Sequence, residues 1–283
     1  MQIHVGYEIV YDCPQPTPMI LTLSIHHTRV ADLVKPDLLV LEPMVPVASY
    51  RDSFGNFCHR IVAPAGALRL YSDAIVRDSG TPEPVAPASA VQRTVQTLPE
   101  DTLIFLLGSR YCETDLLSDI AWKLFAHTPL GVARVQAICN FVHDHVTFGY
   151  EHANATKTAF QVFNDKRGVC RDYAHLAIAF CRCLNIPARY CTGYLGDIGV
   201  PAVDAPMDFA ACFEAYLDDR WYTFDPRNNV PRIGRILIGR GRDAADVAIS
   251  TTFGPNTLKR FVVRTDEVVE EPARLELIER KVA

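Results

Sequence analysis

The sequence predicts an α+β protein, with an antiparallel, sandwich-like β-rich domain over residues 1–98 and an α+β core over residues 99–283. Three observations predict it. Apolar residues recur at a period of two through much of the first segment. Between about residues 115 and 185 the apolar period becomes helical. Alternating segments return after Pro187, and helices followed by strands indicate a segregated α+β core rather than a βαβ series.

The elements follow in order. Ile3, Val5, Tyr7 and Ile9 alternate with His4, Gly6 and Glu8, the pattern of a half-buried strand. Leu21, Leu23 and Ile25 repeat it. Asp52 to Asn56 supplies turn chemistry before a further strand, and Leu68 and Leu70 open one more. Pro82, Pro84 and Pro87 lie among Ala, Ser and Glu from Thr81 to Ala90, which predicts an extended linker at the domain boundary. Asp115 to Ala126 is helical in composition. Val135, Ile138, Cys139, Val142 and Val146 trace one helical stripe, and Tyr173, Ala177, Phe180, Cys181 and Leu184 trace another that starts at Cys170. Pro187 stops that helix. Strands are then predicted over Ala188–Leu195, Asp208–Leu217 and Arg220–Phe224. If Asp218-Asp219 is a two-residue turn, Leu217 pairs with Arg220 and Cys212 falls opposite Asp225. Position 210 then shares a face with Asp225.

Composition narrows the function. Of 283 residues, 49% are apolar and 22% charged, so the chain can bury a core without disulfides. A net charge of −5 argues against a nucleic-acid partner held by bulk positive charge. No apolar run reaches the ~18 residues of a spanning helix, so no membrane partner is expected. Met1 to Ile9 lacks a basic stretch followed by an apolar block. The nine cysteines therefore read as reduced thiols of a cytoplasmic protein, one of them a candidate for reactivity. There is no Cys-x-x-Cys and no zinc spacing, and neither a metal nor a cofactor is expected.

Cys170 is the foremost candidate. In Lys166-Arg167-Gly168-Val169-Cys170-Arg171-Asp172-Tyr173 a glycine turn opens a helix, and the helix dipole with the nearby basic groups should favour the thiolate. Gly168 to Leu176, then Leu184-Asn185-Ile186-Pro187-Ala188-Arg189-Tyr190 and Gly193-Tyr194, resembles the nucleophile helix and first core strand of the transglutaminase-like superfamily. Trp221-Tyr222-Thr223-Phe224-Asp225-Pro226 is similar to that family's acid motif. The resemblance covers roughly Thr102 to Gly254, and the β-rich first segment is similar to the N-terminal region of bacterial members. It implies a papain-like fold with a Cys-His-Asp triad, in which Cys170 attacks a protein or peptide amide to give a thioester and Asp225 orients the histidine. An amine or water then resolves the acyl-enzyme.

The second motif departs from the family. Asp208-Phe209-Ala210-Ala211-Cys212-Phe213-Glu214 puts Ala210 where the histidine is expected and Cys212 where an aromatic is expected. Alanine cannot accept a proton. His152, in the loop before the nucleophile helix, is the outside candidate to replace it, with Gln161 as an oxyanion donor and Cys212 as further supporting candidates. His175 lies on the polar stripe with Arg171 and Arg182, about 140° round the helix from Cys170, and is expected at a solvated or core edge. His143 and His145 diverge on their helix and form no metal pair. Asp208 could face the site from the same strand side as Ala210, but a carboxylate there is expected to be a poor base for a thiol. The arginine run from Arg227 to Arg242 is expected to be solvated or paired with carboxylates. Two functions remain: cysteine-based acyl transfer or hydrolysis, and a catalytically silent cleft that binds a peptide or protein.

Overall fold

The computed structural model describes residues 1–203 and 207–269; the end of the predicted core segment, 270–283, lies outside the described residues. The first seven strands are β1 (Gln2–Cys13), β2 (Thr17–Leu21), β3 (Leu33–Lys35), β4 (Val40–Glu42), β5 (Ala48–Arg51), β6 (Phe57–Ala63) and β7 (Gly66–Arg77). Helices α1 (Glu100–Leu103), α2 (Thr114–Phe125) and α3 (Val132–His145) follow, then β8 (Thr147–Phe148), α4 (Ala159–Asp165), β9 (Arg167–Gly168) and α5 (Cys170–Cys183). The chain continues through β10 (Ala188–Tyr194), β11 (Ala210–Leu217), β12 (Arg220–Phe224), β13 (Ile236–Gly241), β14 (Ser250–Thr252) and β15 (Thr257–Glu267).

The alternation at the N-terminus becomes β1, which buries Ile3, Val5, Tyr7 and Ile9 and pairs on both edges, with β7 and with β15. Gly6 is required there, because a Cβ would stand 2.5 Å from the Ser72 carbonyl oxygen. Among the described residues three antiparallel sheets form, ordered β15-β1-β7-β3 (with β4 also on β7), β14-β2-β6-β5, and β12-β11-β10-β13. The last strands thus return to the first segment, and its hydrogen bonding crosses the 98/99 boundary. One apolar core lies among the N-terminal strands and reaches Ile236 and Ile238 of β13; the other surrounds α5. The linker is pinned between them: the Glu83 N–H donates to Arg232 O (2.9 Å) and its carboxylate receives Arg235 (3.0 Å).

Helix α5 is buried on every side, which corrects the expectation of a solvated stripe. The segments at 107–112 and 240–246 cover that face. Arg182 donates to the carbonyls of Leu107, Ala188 and Arg242 and to Ser109 Oγ, and the His175 ring accepts the Ala244 N–H at 3.1 Å. Of the polar groups on this stripe, Arg182 and His175 Nε2 meet partners, which limits the penalty of burying them, while His175 Nδ1 is buried without one.

The β11–β12 hairpin has the predicted register, Leu217 opposite Arg220 and Phe213 opposite Phe224. Asp218 (φ 48°) and Asp219 (φ 62°) are both left-handed, as a type I′ turn demands. Left-handed backbone disfavours a residue with a Cβ. Asp219→Gly is therefore expected to raise stability by about 0.5 kcal/mol in urea unfolding, since the exposed Arg93 ion pair it removes contributes little.

Candidate functional site

Cys170 owes its position to the two residues before it. β9 pairs in parallel with β8, and Val169 is extended (φ −108°, ψ 176°), so helical geometry begins at Cys170. The Asp172 carboxylate reaches back to accept the Val169 N–H at 2.9 Å, which fixes the first turn of α5. Gly168 is dictated by this contact, as a Cβ there would lie 2.6 Å from Asp172 Cβ. Odd-numbered residues of β11, Ala211 and Phe213 among them, pack under α5, so the sulfur comes to rest where β11 begins.

There it meets a cleft of about 340 Å³, whose walls include Phe148, Tyr150, Asp208, Ala210, Arg227 and Asn228. Of the nine cysteines, eight are buried and Cys170 alone is partly accessible. The thiol is nevertheless not activated, contrary to the expectation from helix position. Desolvation on the cleft floor pushes it up to about 11; the N–H groups of Ala211 and Arg171 oppose this, while the charges of Asp208 and Asp225 reinforce it. The expected basic support is turned away. Arg171 pairs with Asp172 (3.1 Å) and lies over the Tyr111 ring, and Lys166 and Arg167 are exposed.

Asp225 follows β12 directly, as the motif requires, but its carboxylate is fully occupied. Oδ1 accepts the N–H groups of Arg227 (3.1 Å) and Asn228 (3.0 Å), an Asx turn. Oδ2 accepts Asn228 Nδ2 (2.7 Å) and Arg235 Nη2 (2.7 Å). Burial works against its charge, but Arg235 and Asn228 outweigh it and hold the carboxyl below its usual range. Arg235 bridges Asp225 to Glu83 and so ties the acid to the linker. Ala210 pairs with Gly193 and lines the cleft. Among the described residues that line the cleft there is no histidine.

None of the three supporting candidates is gathered at this cleft. His152 ends a short 3₁₀ turn, with its ring 3.5 Å from the Glu151 carboxylate, and does not line the cavity. Gln161 is exposed and caps α4: its Oε1 accepts the Thr158 N–H at 3.0 Å, while Thr158 Oγ1 accepts the Gln161 N–H. It is therefore spent on the helix terminus. Cys212 lies opposite Cys191, and both line a separate cavity beside Arg235. Strict alternation along β11 puts Cys212 on the face away from α5.

The arginine run is paired with carboxylates, as expected. Arg232 lies 3.6 Å from Asp197, Arg240 3.2 Å from Glu214 and Arg242 2.9 Å from Asp246. Arg227 differs, since it lies over the Phe148 ring (4.3 Å) and donates to Asn228 Oδ1. Sequence reasoning missed Tyr150, Arg227 and Asn228 as cleft residues. Only Asn228 carried a local signal, the Asx turn three residues after Asp225.

A helix that opens on an accessible cysteine and packs on an antiparallel sheet ending in an aspartate defines a transglutaminase-like core. The model of the transglutaminase-like superfamily matches residues 120–226. The crystal structure of a "Putative Cysteine Protease" from Cytophaga hutchinsonii superposes with a TM-score of 0.81 at 30% identity, over 96% of this chain and 92% of that one. An uncharacterized protein of Mycobacterium leprae is 38% identical over 85 residues, 29% of this chain and 30% of that protein. One from Mycobacterium tuberculosis is 26% identical over 215 residues, 70% of this chain and 68% of that protein. The matched part thus spans less than a third of the first mycobacterial relative. The chain belongs to the transglutaminase-like superfamily.

Proposed function

We propose that the protein is a cytoplasmic, cysteine-dependent acyl-transfer or hydrolytic enzyme that acts on a protein or peptide carbonyl through a thioester on Cys170. One contrast carries this reading: eight thiols are buried, and the one that is open stands at the first position of a 14-residue helix on the floor of a cleft. Free N–H groups of a first helical turn suit a developing oxyanion. The likeness to the Cytophaga protein supports the reaction class.

A thiol at about 11 is ionised in only about one molecule in ten thousand at pH 7, so its proton must leave as the sulfur attacks. Amides are then poor substrates, because the departing nitrogen also needs a proton. Thioesters and activated esters are better ones. The second reading, a silent cleft that holds a peptide, is favoured by Ala210 and by the commitment of Asp225 to Arg235.

One measurement tests the state of the thiol and a second separates the two readings. Iodoacetamide labelling of Cys170 should accelerate about tenfold per pH unit from pH 7 towards 10, with no plateau near pH 6. Incubation with p-nitrophenyl acetate should acylate Cys170 and continue to release nitrophenolate, both lost in Cys170→Ala. Peptide binding that survives in Cys170→Ala, with no acylation of the wild type, would establish the silent cleft instead.

A further inference from the structure

Asp208 stands at the mouth of β11, two residues before Ala210, and lines the same cleft as Cys170. The carbonyl of Phe209, the residue after Asp208, lies 4.0 Å from Cys170 Sγ, which sets the Phe209–Ala210 peptide, next along the chain from Asp208, against the sulfur. Unlike Asp225, Asp208 is open to the cleft and has no cationic partner among the described residues; its Oδ1 accepts only the Phe209 N–H (2.6 Å). The two cleft arginines are engaged elsewhere, Arg227 with Phe148 and Asn228, and Arg232 with Asn228, Gly196 O and Asp197.

Resting on the acyl-transfer reading above, we propose that Asp208 is the proton-transfer partner of Cys170, in place of the absent histidine. As sulfur bonds to the carbonyl carbon, the S–H proton passes to the Asp208 carboxylate and the C=O π pair moves onto oxygen. When the tetrahedral adduct collapses, the bond to the leaving group breaks and Asp208 returns the proton to it. Water repeats the cycle on the thioester: its proton goes to Asp208, its oxygen bonds to carbon, and the departing sulfur takes the proton back. Although Asp208 is exposed at the cleft mouth, partial desolvation there raises its carboxyl above its usual value, the direction that strengthens it as a base. Among the described residues, the remaining charged or titratable groups facing the cleft are Tyr150, Glu151, Asp197, Arg227 and Arg232.

Asp208→Asn keeps an acceptor for the Phe209 N–H and removes the proton carrier. Acylation by p-nitrophenyl acetate at pH 7 should fall about 10²–10⁴-fold. The iodoacetamide profile of Cys170 should shift to lower pH, because a repelling charge has gone. Asp208→Glu should restore part of the rate. In the wild type, acylation should also fall as pH drops through the raised Asp208 titration, a readout that needs no variant. Acylation in Asp208→Asn that is unchanged, or that rises with the thiolate fraction, overturns the assignment while leaving the enzyme intact. A wild type that is never acylated at Cys170 overturns the acyl-transfer reading itself, and Asp208 with it.

Discussion

Arg235→Met is expected to destabilise the protein by about 3–5 kcal/mol, the cost of removing one member of a buried ion network. Arg235 lies between two carboxylates, with Nη2 2.7 Å from Asp225 and Nε 3.0 Å from Glu83, and the Asp225 side chain is 5% exposed. Burial disfavours the guanidinium charge, yet Cys212, Asp225 and Glu83 hold it protonated. Methionine fills the space and leaves both acids without a counter-charge. Urea unfolding followed by circular dichroism measures the loss. If it arises from stranded charge, adding Asp225→Asn and Glu83→Gln should recover a large part of it; no recovery would mean that packing, not charge, is the function of Arg235. The same network bears on repair of the triad. Ala210→His restores the family residue, but Asp225 already accepts four hydrogen bonds, so that substitution alone should raise amidase activity only slightly.

Acid sensitivity is the second large effect. His175 is fully buried, accepts the Ala244 N–H through Nε2, and lies between the Tyr111 and Tyr190 rings. Burial, aided by Arg171 and Arg182, depresses its pKa well below 6.5. His26 is likewise depressed, to about 3, first by burial and then by Arg240 and His27. Both rings stay neutral in the folded protein while the unfolded chain takes up protons below about pH 6.5. The unfolded state then binds more protons, so stability is complete above that pH and declines as pH falls towards the folded values. Each group contributes up to about 1.4 kcal/mol per pH unit, so the pair should cost about 2–3 kcal/mol per unit below pH 6. Denaturation curves between pH 7.5 and 5 give the slope. His175→Gln, whose amide oxygen can accept the Ala244 N–H, should remove about half of it. A flat profile in the wild type would show that these rings titrate normally.

Much of the fold was legible because it is written in local periodicity. The alternation of Ile3, Val5, Tyr7 and Ile9 becomes β1, the stripe from Val135 to Val146 becomes α3, and the Asp218-Asp219 turn sets the hairpin register. Helix α4 and the final strands were not legible. α4 is seven residues long and is defined by the reciprocal Thr158–Gln161 cap rather than by an apolar stripe. β15 exists because β1 has a free edge to receive it.

By itself the sequence determined the α+β order, the start of a helix at Cys170, the acid after β12 and the alanine in the histidine's place, because each depends on residue identity or on spacing along one element. Tertiary structure decided the chemistry around them. Whether a thiol ionises depends on what desolvates it and which charges face it, and those groups come from Asp208, Asp225 and the walls of the cleft, far along the chain from Cys170. Arg235, Glu83 and Asp225 meet only when the linker folds against β13, so no motif announced that the acid already has a cation to hold.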